Sequence, residues 1–382
     1  MALKAMKLRM LKRVFLPQEV CAGKDAIERL SCFDSSARVL LIVSGSLASA
    51  GLLEKLKAKC KDAAACESIC WSTGAPTAGA LDAVREQVTA FAPGWIVAVG
   101  GGSVLDAAKF VWAQYEHPEL QWTGAPAAIP PLRAKSRFAA VPTTAGSGSE
   151  ASQAAVLSGV QNAKVPYVTP DWIPDLVILD PALALQLPPA VTAATAFDAL
   201  THAIESAVSS LSHALLRSWS ATAVRGVLHH LPRALANPQD LAAREGLQNS
   251  AFLGGLCQST TSTGAAHALS HATTALHQTA HATATGFYLA PSMEWNLGKS
   301  PQVYEALAIE SGLADGEALL GRIRGLAQSA GIAANFQQLT GSALSEDGAK
   351  ALAAAASKDV CLRTNACRMT EKDLEELLRK IG

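Results

Sequence analysis

Apolar runs that end in glycine and recur at helix-length intervals constrain this chain more than any other feature of its first half. ARVLLIVSG closes at Gly45 and WIVAVGGG at Gly102, and neither alternates apolar with polar residues. A strand with one wet face would alternate, so an unbroken run suits a strand buried on both faces. Between and after these runs lie the helical stretches LLEKLKAKCKDAAA, LDAVREQVTAFA and SVLDAAKFVWAQ. RVFLPQEV, ESICWSTGAPT, FAAVPTTAGSGSE and DLVILDP add further strand-like segments. From about Arg13 to Pro181 this alternation predicts a mostly parallel sheet with helices on both faces.

After LPPAVTAATAF the character changes. Helical patterns are predicted near 191–209, 212–236, 239–257, 262–277, 302–312, 315–331 and 345–356, and over the closing EKDLEELLRK. No comparable β-branched run remains. The expected division is an α/β domain over 1–187 and an all-helical domain over 188–382, with the boundary near Pro188. No long Gly/Ser linker separates them, so the two should pack tightly around a cleft.

Composition narrows the partners. Lys+Arg and Asp+Glu both total 32, which leaves no net field to attract nucleic acid or an anionic membrane. No uninterrupted apolar run approaches the length of a membrane span. The basic start, MALKAMKLRMLKR, lacks the apolar core of a secretory signal and reads as a solvated extension, so a cytoplasmic protein is expected. The eight cysteines form neither a CxxC pair nor a zinc-module spacing, and they read as reduced packing residues.

Chemistry enters with five residues of the second half. Asp198 and His202 stand four apart in FDALTHAIES, and His267 and His271 stand four apart in AAHALSHAT. Residues four apart share a helix face, so two helices can each aim a pair of donors at one point. His281 can close the set from the following segment. One carboxylate with several neutral imidazoles suits Fe²⁺ or Zn²⁺ better than Mg²⁺ or Ca²⁺. Spacing alone leaves open which four of the five are ligands.

The first half supplies a nucleotide signature. Gly100, Gly101, Gly102 and Ser103 follow a strand and open a helix, where glycine permits close backbone approach and free N–H groups favour phosphate. A second loop, Pro142 to Glu150, is rich in hydroxyls and glycine and also follows an apolar strand. Two polar turns that merely connect elements would look similar singly. A pair of them in one sheet fits a pyrophosphate and a ribose.

Together, GGGSVLDAAK at 100–109, VPTTAGSGSEAS at 141–152, VILDP at 177–181, DALTHAIES at 198–206 and HALSHATTALHQTAH at 267–281 resemble the iron-containing (group III) alcohol dehydrogenase family. The resemblance spans nearly the whole chain. It implies a Rossmann-like parallel-sheet domain followed by an all-α domain, the two-domain plan shared with dehydroquinate synthase. It further implies that Asp198, His202, His267 and His281 bind one divalent metal and that His271 sits near the nicotinamide. Gly101, Gly102, Ser103, Thr143, Thr144, Ser147 and Lys164 fall where the family contacts the dinucleotide. His277 has no functional counterpart, and Asp106 either holds the glycine loop or is a solvated acid of the first helical turn. A homodimer or larger homo-oligomer is implied as well.

Two departures bear on the cofactor. Where NAD-using members carry an acid after the second strand, this chain has Gly45 followed by Ser46, and an Asn-Pro-Thr of the family is replaced by Ala75-Pro76-Thr77. A carboxylate there would accept bonds from the ribose 2′-OH and repel a 2′-phosphate. Its absence, with Ser44 and Ser46 as donors, predicts that NADP(H) is accepted or preferred. The expected activity is reversible hydride transfer between the nicotinamide and a small alcohol or aldehyde. A metal-dependent lyase on the same scaffold is the nearest rival. A metallohydrolase would leave both Gly/hydroxyl loops idle, and a non-catalytic protein would leave the ligand set without purpose.

Overall fold

A computed structural model of the chain describes residues 13–49, 51–72, 74–122, 128–159 and 164–382. Most of the basic N-terminal stretch lies outside the described residues. Six strands form one sheet: β1 (Glu19–Ala22), β2 (Arg38–Ser44), β3 (Ala65–Trp71), β4 (Trp95–Gly100), β5 (Arg137–Pro142) and β8 (Leu176–Leu179), in the order β1-β8-β5-β4-β2-β3. Every pairing is parallel. The continuous apolar runs are buried on both sides, as predicted. Leu40, Ile42, Ile96 and Ala98 face one core cluster, whereas Val39, Leu41, Val43, Val97 and Val99 face another. The first cluster packs under α3 (Ala78–Phe91) and α4 (Gly102–Glu116); the second includes Leu56 of α2 (Leu52–Lys59), which follows the short α1 (Gly45–Ser49).

Register decides where the polar loops emerge. Gly100 pairs with Pro142 and Val99 with Val43, so β2, β4 and β5 end level with one another. β2 leads to β3 on one side, and the chain then crosses back to β4 on the other. That reversal makes a topological switch point at the carboxyl ends of β2 and β4, where open α/β sheets bind ligands.

The sheet ends at Leu179, and the helical half begins with α5 (Pro189–Val208). It continues through α6 (Ala214–Ala236), α7 (Leu241–Thr261), α8 (Ala265–His277), α9 (His281–Lys299), α10 (Gln302–Glu310), α11 (Gly316–Ser329), α12 (Phe336–Thr340), α13 (Glu346–Ala356) and α14 (Glu371–Ile381). Sequence patterning misses α9, whose interior Pro291 argues against a helix, and the short α12. It also misses an antiparallel hairpin, β6 (Ala154–Ser158) with β7 (Lys164–Val168), because each strand is only five residues long.

The two halves meet along the hydroxyl-rich loop. A Cβ on Gly148 would lie 2.4 Å from the Gly255 Cα of α7, and one on Gly146 would lie 2.7 Å from the Thr195 Cβ of α5. Gly148 also has φ +62°, a conformation that costs an L side chain energy. Gly148→Ala should therefore destabilise the protein by about 2–4 kcal/mol. Urea denaturation of the variant against the parent checks this, with a midpoint lower at an unchanged slope.

Candidate active site

The helical half brings Asp198, His267 and His281 together. One ligand atom from each lies within 4.8 Å of the other two. His267 Nε2 and His281 Nε2 are each 3.8 Å from Asp198 Oδ1. The fourth implied donor, His202, stands against this group with its ring centroid 4.6 Å from that of His267. α7 passes closely beside it, since a Cβ on Gly254 would lie 3.5 Å from His202 Cβ and 3.1 Å from the Ala199 carbonyl.

Three of the donor atoms are buried and unsatisfied. Asp198 Oδ1, His202 Nδ1 and His267 Nε2 have no hydrogen-bond partner. Leaving such groups dry and unpaired costs about 1–3 kcal/mol each. Two of them, Asp198 Oδ1 and His267 Nε2, lie 3.8 Å apart beside His281, the signature of a site built for an ion. Burial holds the His202 imidazole down to about 4, and burial with the neighbouring histidines holds His281 well below its ordinary value. Both rings are therefore neutral near pH 7, the form in which imidazole donates to a metal.

His267 and His281 are each aimed by a partner that sequence reasoning missed. Glu205, on α5, accepts a 2.6 Å bond at His267 Nδ1, which leaves Nε2 with its lone pair toward Asp198. The same carboxylate accepts from the backbone N–H groups of Gly264 and Ala266, both at 2.8 Å, and so caps the start of α8. His281 Nδ1 lies 3.0 Å from Ser270 Oγ, and Thr285 donates to the same serine oxygen at 2.9 Å. Carboxylate and hydroxyl partners of this kind fix the tautomer and orientation of a metal-binding histidine. The signal for Glu205 was present: it stands seven residues after Asp198, two helical turns along the face that carries His202.

His271 lies outside the trio. Its ring stacks on His281 at 5.1 Å, and its Nδ1 is 2.8 Å from Asp359 Oδ2. Burial opposes charge on this imidazole, but Asp359 and the Cys361 thiol outweigh it and raise the group to about 10. His277 packs edge-on against Phe336 instead, a structural position.

The implied cofactor residues gather at the carboxyl ends of the strands. Gly101 caps α4, and the Gly102 backbone sits so near the second loop that a Cβ would be 2.5 Å from Ser147 Oγ. A Cβ on Gly101 would lie 3.5 Å from Thr144 Oγ1, and the Thr143 N–H donates to the Gly100 carbonyl at 3.0 Å. Ser103 is exposed in the first turn of α4. Gly45 and Ser46 open α1 at the end of β2, with Ser44 and Ser46 hydroxyls 3.2 Å apart. Lys164 donates to Ser158 at 3.1 Å, and its charge acts on both Asp106 and His281. Thus a single loop, 143–149, touches the glycine turn on one side and the helices α5 and α7 on the other.

Asp106 is a loop-holding residue rather than a solvated one. It accepts from Ser149 Oγ at 2.5 Å and from the Val156 N–H at 2.9 Å. One turn on, the wholly buried Lys109 donates to the carbonyls of Ser149, Ser152 and Ala154 at 2.6–2.9 Å. Burial lowers this lysine to about 8. A buried cation satisfied only by carbonyls and nearby carboxylates ties α4 to the loop it must hold.

The Glu205 geometry has a measurable consequence. Glu205→Gln keeps the size of the side chain but removes the charge that favours a proton on His267 Nδ1. Metal affinity should fall about 10- to 100-fold, read by chelator competition on the purified variant. Unchanged affinity would mean that His267 is oriented by packing alone.

The comparisons with known proteins agree with one another. Residues 17–181 match the model of the family described as iron-containing alcohol dehydrogenase, and residues 192–382 match its C-terminal model. The chain is 31% identical over 310 residues to the NADPH-dependent butanol dehydrogenase of Clostridium saccharobutylicum, covering 80% of this chain and 79% of that one. It is 31% identical over 290 residues to the probable alcohol dehydrogenase EutG of Salmonella typhimurium, covering 75% and 72%. The solved iron-containing alcohol dehydrogenase of Thermococcus thioreducens superposes with a TM-score of 0.90 at 27% identity, covering 97% of this chain and 99% of that one. With both halves matched in order, the chain belongs to the iron-containing alcohol dehydrogenase family and is a metal-dependent alcohol dehydrogenase.

Proposed function

We propose that residues 188–382 hold one divalent cation, Fe²⁺ or Zn²⁺, through Asp198, His202, His267 and His281, and that residues 1–187 hold the dinucleotide. The observation that carries this reading is the convergence of Asp198 Oδ1 and His267 Nε2, both buried and unpartnered, beside His281. One carboxylate and three neutral imidazoles leave a dication with about +1 of formal charge, which favours alkoxide over alcohol. When bound, the cation supplies Lewis-acid polarisation of the substrate oxygen and the nicotinamide supplies or accepts the hydride.

The chain's own residues do the rest. Gly101, Gly102 and Ser103 offer the start of α4 to the pyrophosphate, and Thr143, Thr144 and Ser147 offer hydroxyls from the adjoining loop. Lys164 adds positive charge between the two sites. His271, stacked on His281 but bonded elsewhere, serves the nicotinamide or the proton that accompanies hydride transfer. The substrate class is a small alcohol or its aldehyde, and a net change in reduced-nicotinamide absorbance with such aldehydes separates this activity from a lyase. The reading extends to a cytoplasmic homo-oligomer. All eight cysteines are free, in keeping with a reducing compartment, and no helix of the described residues is long and apolar enough to cross a membrane.

NADP(H) is the preferred cofactor in this reading. Gly45 places no carboxylate at the end of β2, and two serine hydroxyls stand beside it ready to donate to a 2′-phosphate. The butanol dehydrogenase named above, itself NADPH-dependent, lends support. Steady-state kcat/KM should favour NADPH over NADH, and Gly45→Asp should shift the preference toward NADH. A parent enzyme that clearly prefers NADH would refute the cofactor choice. For the metal, His267→Ala and His281→Ala should lose bound metal and activity together, whereas His271→Ala should lower turnover with metal content intact. Retention of metal by His267→Ala would remove that residue from the ligand set.

A further inference from the structure

One half-buried acid in the last third of the chain has no place in the scheme above. Asp359 sits at the start of the short 3₁₀ turn Val360–Thr364, and its Oδ1 accepts from the Cys361 N–H at 2.8 Å. Its other oxygen, Oδ2, lies 2.8 Å from His271 Nδ1. The two side chains are 17% and 22% exposed, so water competes weakly for the bond.

The segment that carries Asp359 is held to the start of α8 by bonds that do not involve either side chain. Thr364 Oγ1 donates to the Thr263 carbonyl at 2.7 Å, and the Ser210 N–H donates to the Thr364 carbonyl at 3.2 Å. Asn365 Oδ1 accepts from the Ala265 N–H at 3.2 Å, while its amide donates to Asn296 Oδ1 on α9 at 2.8 Å. His271 is one and a half turns into that same α8. The carboxylate and the imidazole are therefore placed independently and meet at bonding distance.

We propose that Asp359 is a positioning residue for His271. Its carboxylate takes the Nδ1–H bond, fixes the ring in the plane that stacks on His281, and leaves Nε2 as the nitrogen available to cofactor or substrate. A carboxylate on the far nitrogen is the general means by which a working histidine is held in one tautomer and orientation. The arrangement parallels Glu205 with His267: each of the two histidines of α8 that face the site has its own acid, one from α5 and one from the C-terminal segment. The inference rests on His271 acting in the reaction, as proposed above.

The test compares His271→Ala, Asp359→Asn and the double variant with the parent holoenzyme. Asparagine keeps an oxygen for the Cys361 N–H, so the turn survives while the carboxylate is lost. Asp359→Asn should lower kcat about 10- to 100-fold, with little change in KM for alcohol or NADPH and with metal content and melting temperature retained. The double variant should be no slower than His271→Ala, because the acid acts only through the histidine. Losses that multiply in the double variant, or an Asp359→Asn enzyme as fast as the parent beside a crippled His271→Ala, would overturn the role of Asp359 alone. A His271→Ala enzyme with parental kcat would overturn the reading of His271, and the present inference with it. Two equivalents of bound metal in the parent, falling to one in Asp359→Asn, would also overturn it, making His271, Asp359 and Cys361 a second cation site.

Discussion

Glu205 is the side chain on which the site's geometry turns. Its carboxylate is buried between α5 and α8 and spends both oxygens at once: on the imidazole of His267 and on two backbone N–H groups that open α8. A buried charge is tolerated only where hydrogen bonds replace water. Here those bonds come from the helix that must be aimed, so satisfying the carboxylate and orienting His267 are the same event. Asp198 and His202 ride on the helix that carries Glu205, which couples the two arms of the proposed cation site through one side chain. Gly264 belongs to the same device, because a Cβ there would lie 2.9 Å from Glu205 Oε1.

The sheet half reaches the site by close backbone approach rather than by long side chains. The loop after β5 is wedged between Gly102 and the helices α5 and α7, and glycines mark the tightest crossings. Asp106 and Lys109 hold that loop from below, both from α4, the helix whose start offers N–H groups to phosphate. The glycine turn and the cluster of Asp198, His267 and His281 are thus brought near each other by one loop with no slack. Gln248 on α7 adds a bond from the helical half to the Pro142 carbonyl at the end of β5, at 3.1 Å.

Much of this was legible in the residues. Unbroken apolar runs gave away the doubly covered sheet, and one residue of each four-apart pair, Asp198 and His267, meets His281 of the following segment. His202 follows less closely, standing beside the trio rather than within its tightest grouping. Long-range pairing was not legible. Asp359 reaches His271 across 88 positions and Glu205 reaches His267 across 62, and no local period records such a partnership. The hairpin of β6 and β7 was hidden by length, since two five-residue strands leave little pattern to read. Asp106 was ambiguous because an acid in a first helical turn serves the dipole equally well in water.

The central claim is that one cation is gripped by Asp198, His202, His267 and His281 within reach of the nicotinamide of a dinucleotide whose pyrophosphate sits at the glycine turn. Crystals of the purified enzyme soaked with NADPH, with anomalous data collected at the iron and zinc edges, test it most directly. The account predicts one anomalous peak inside that quartet, with the pyrophosphate at Gly101–Ser103 and the nicotinamide beside His271. A peak at some other cluster, or a dinucleotide bound away from the ends of β2 and β4, would contradict it.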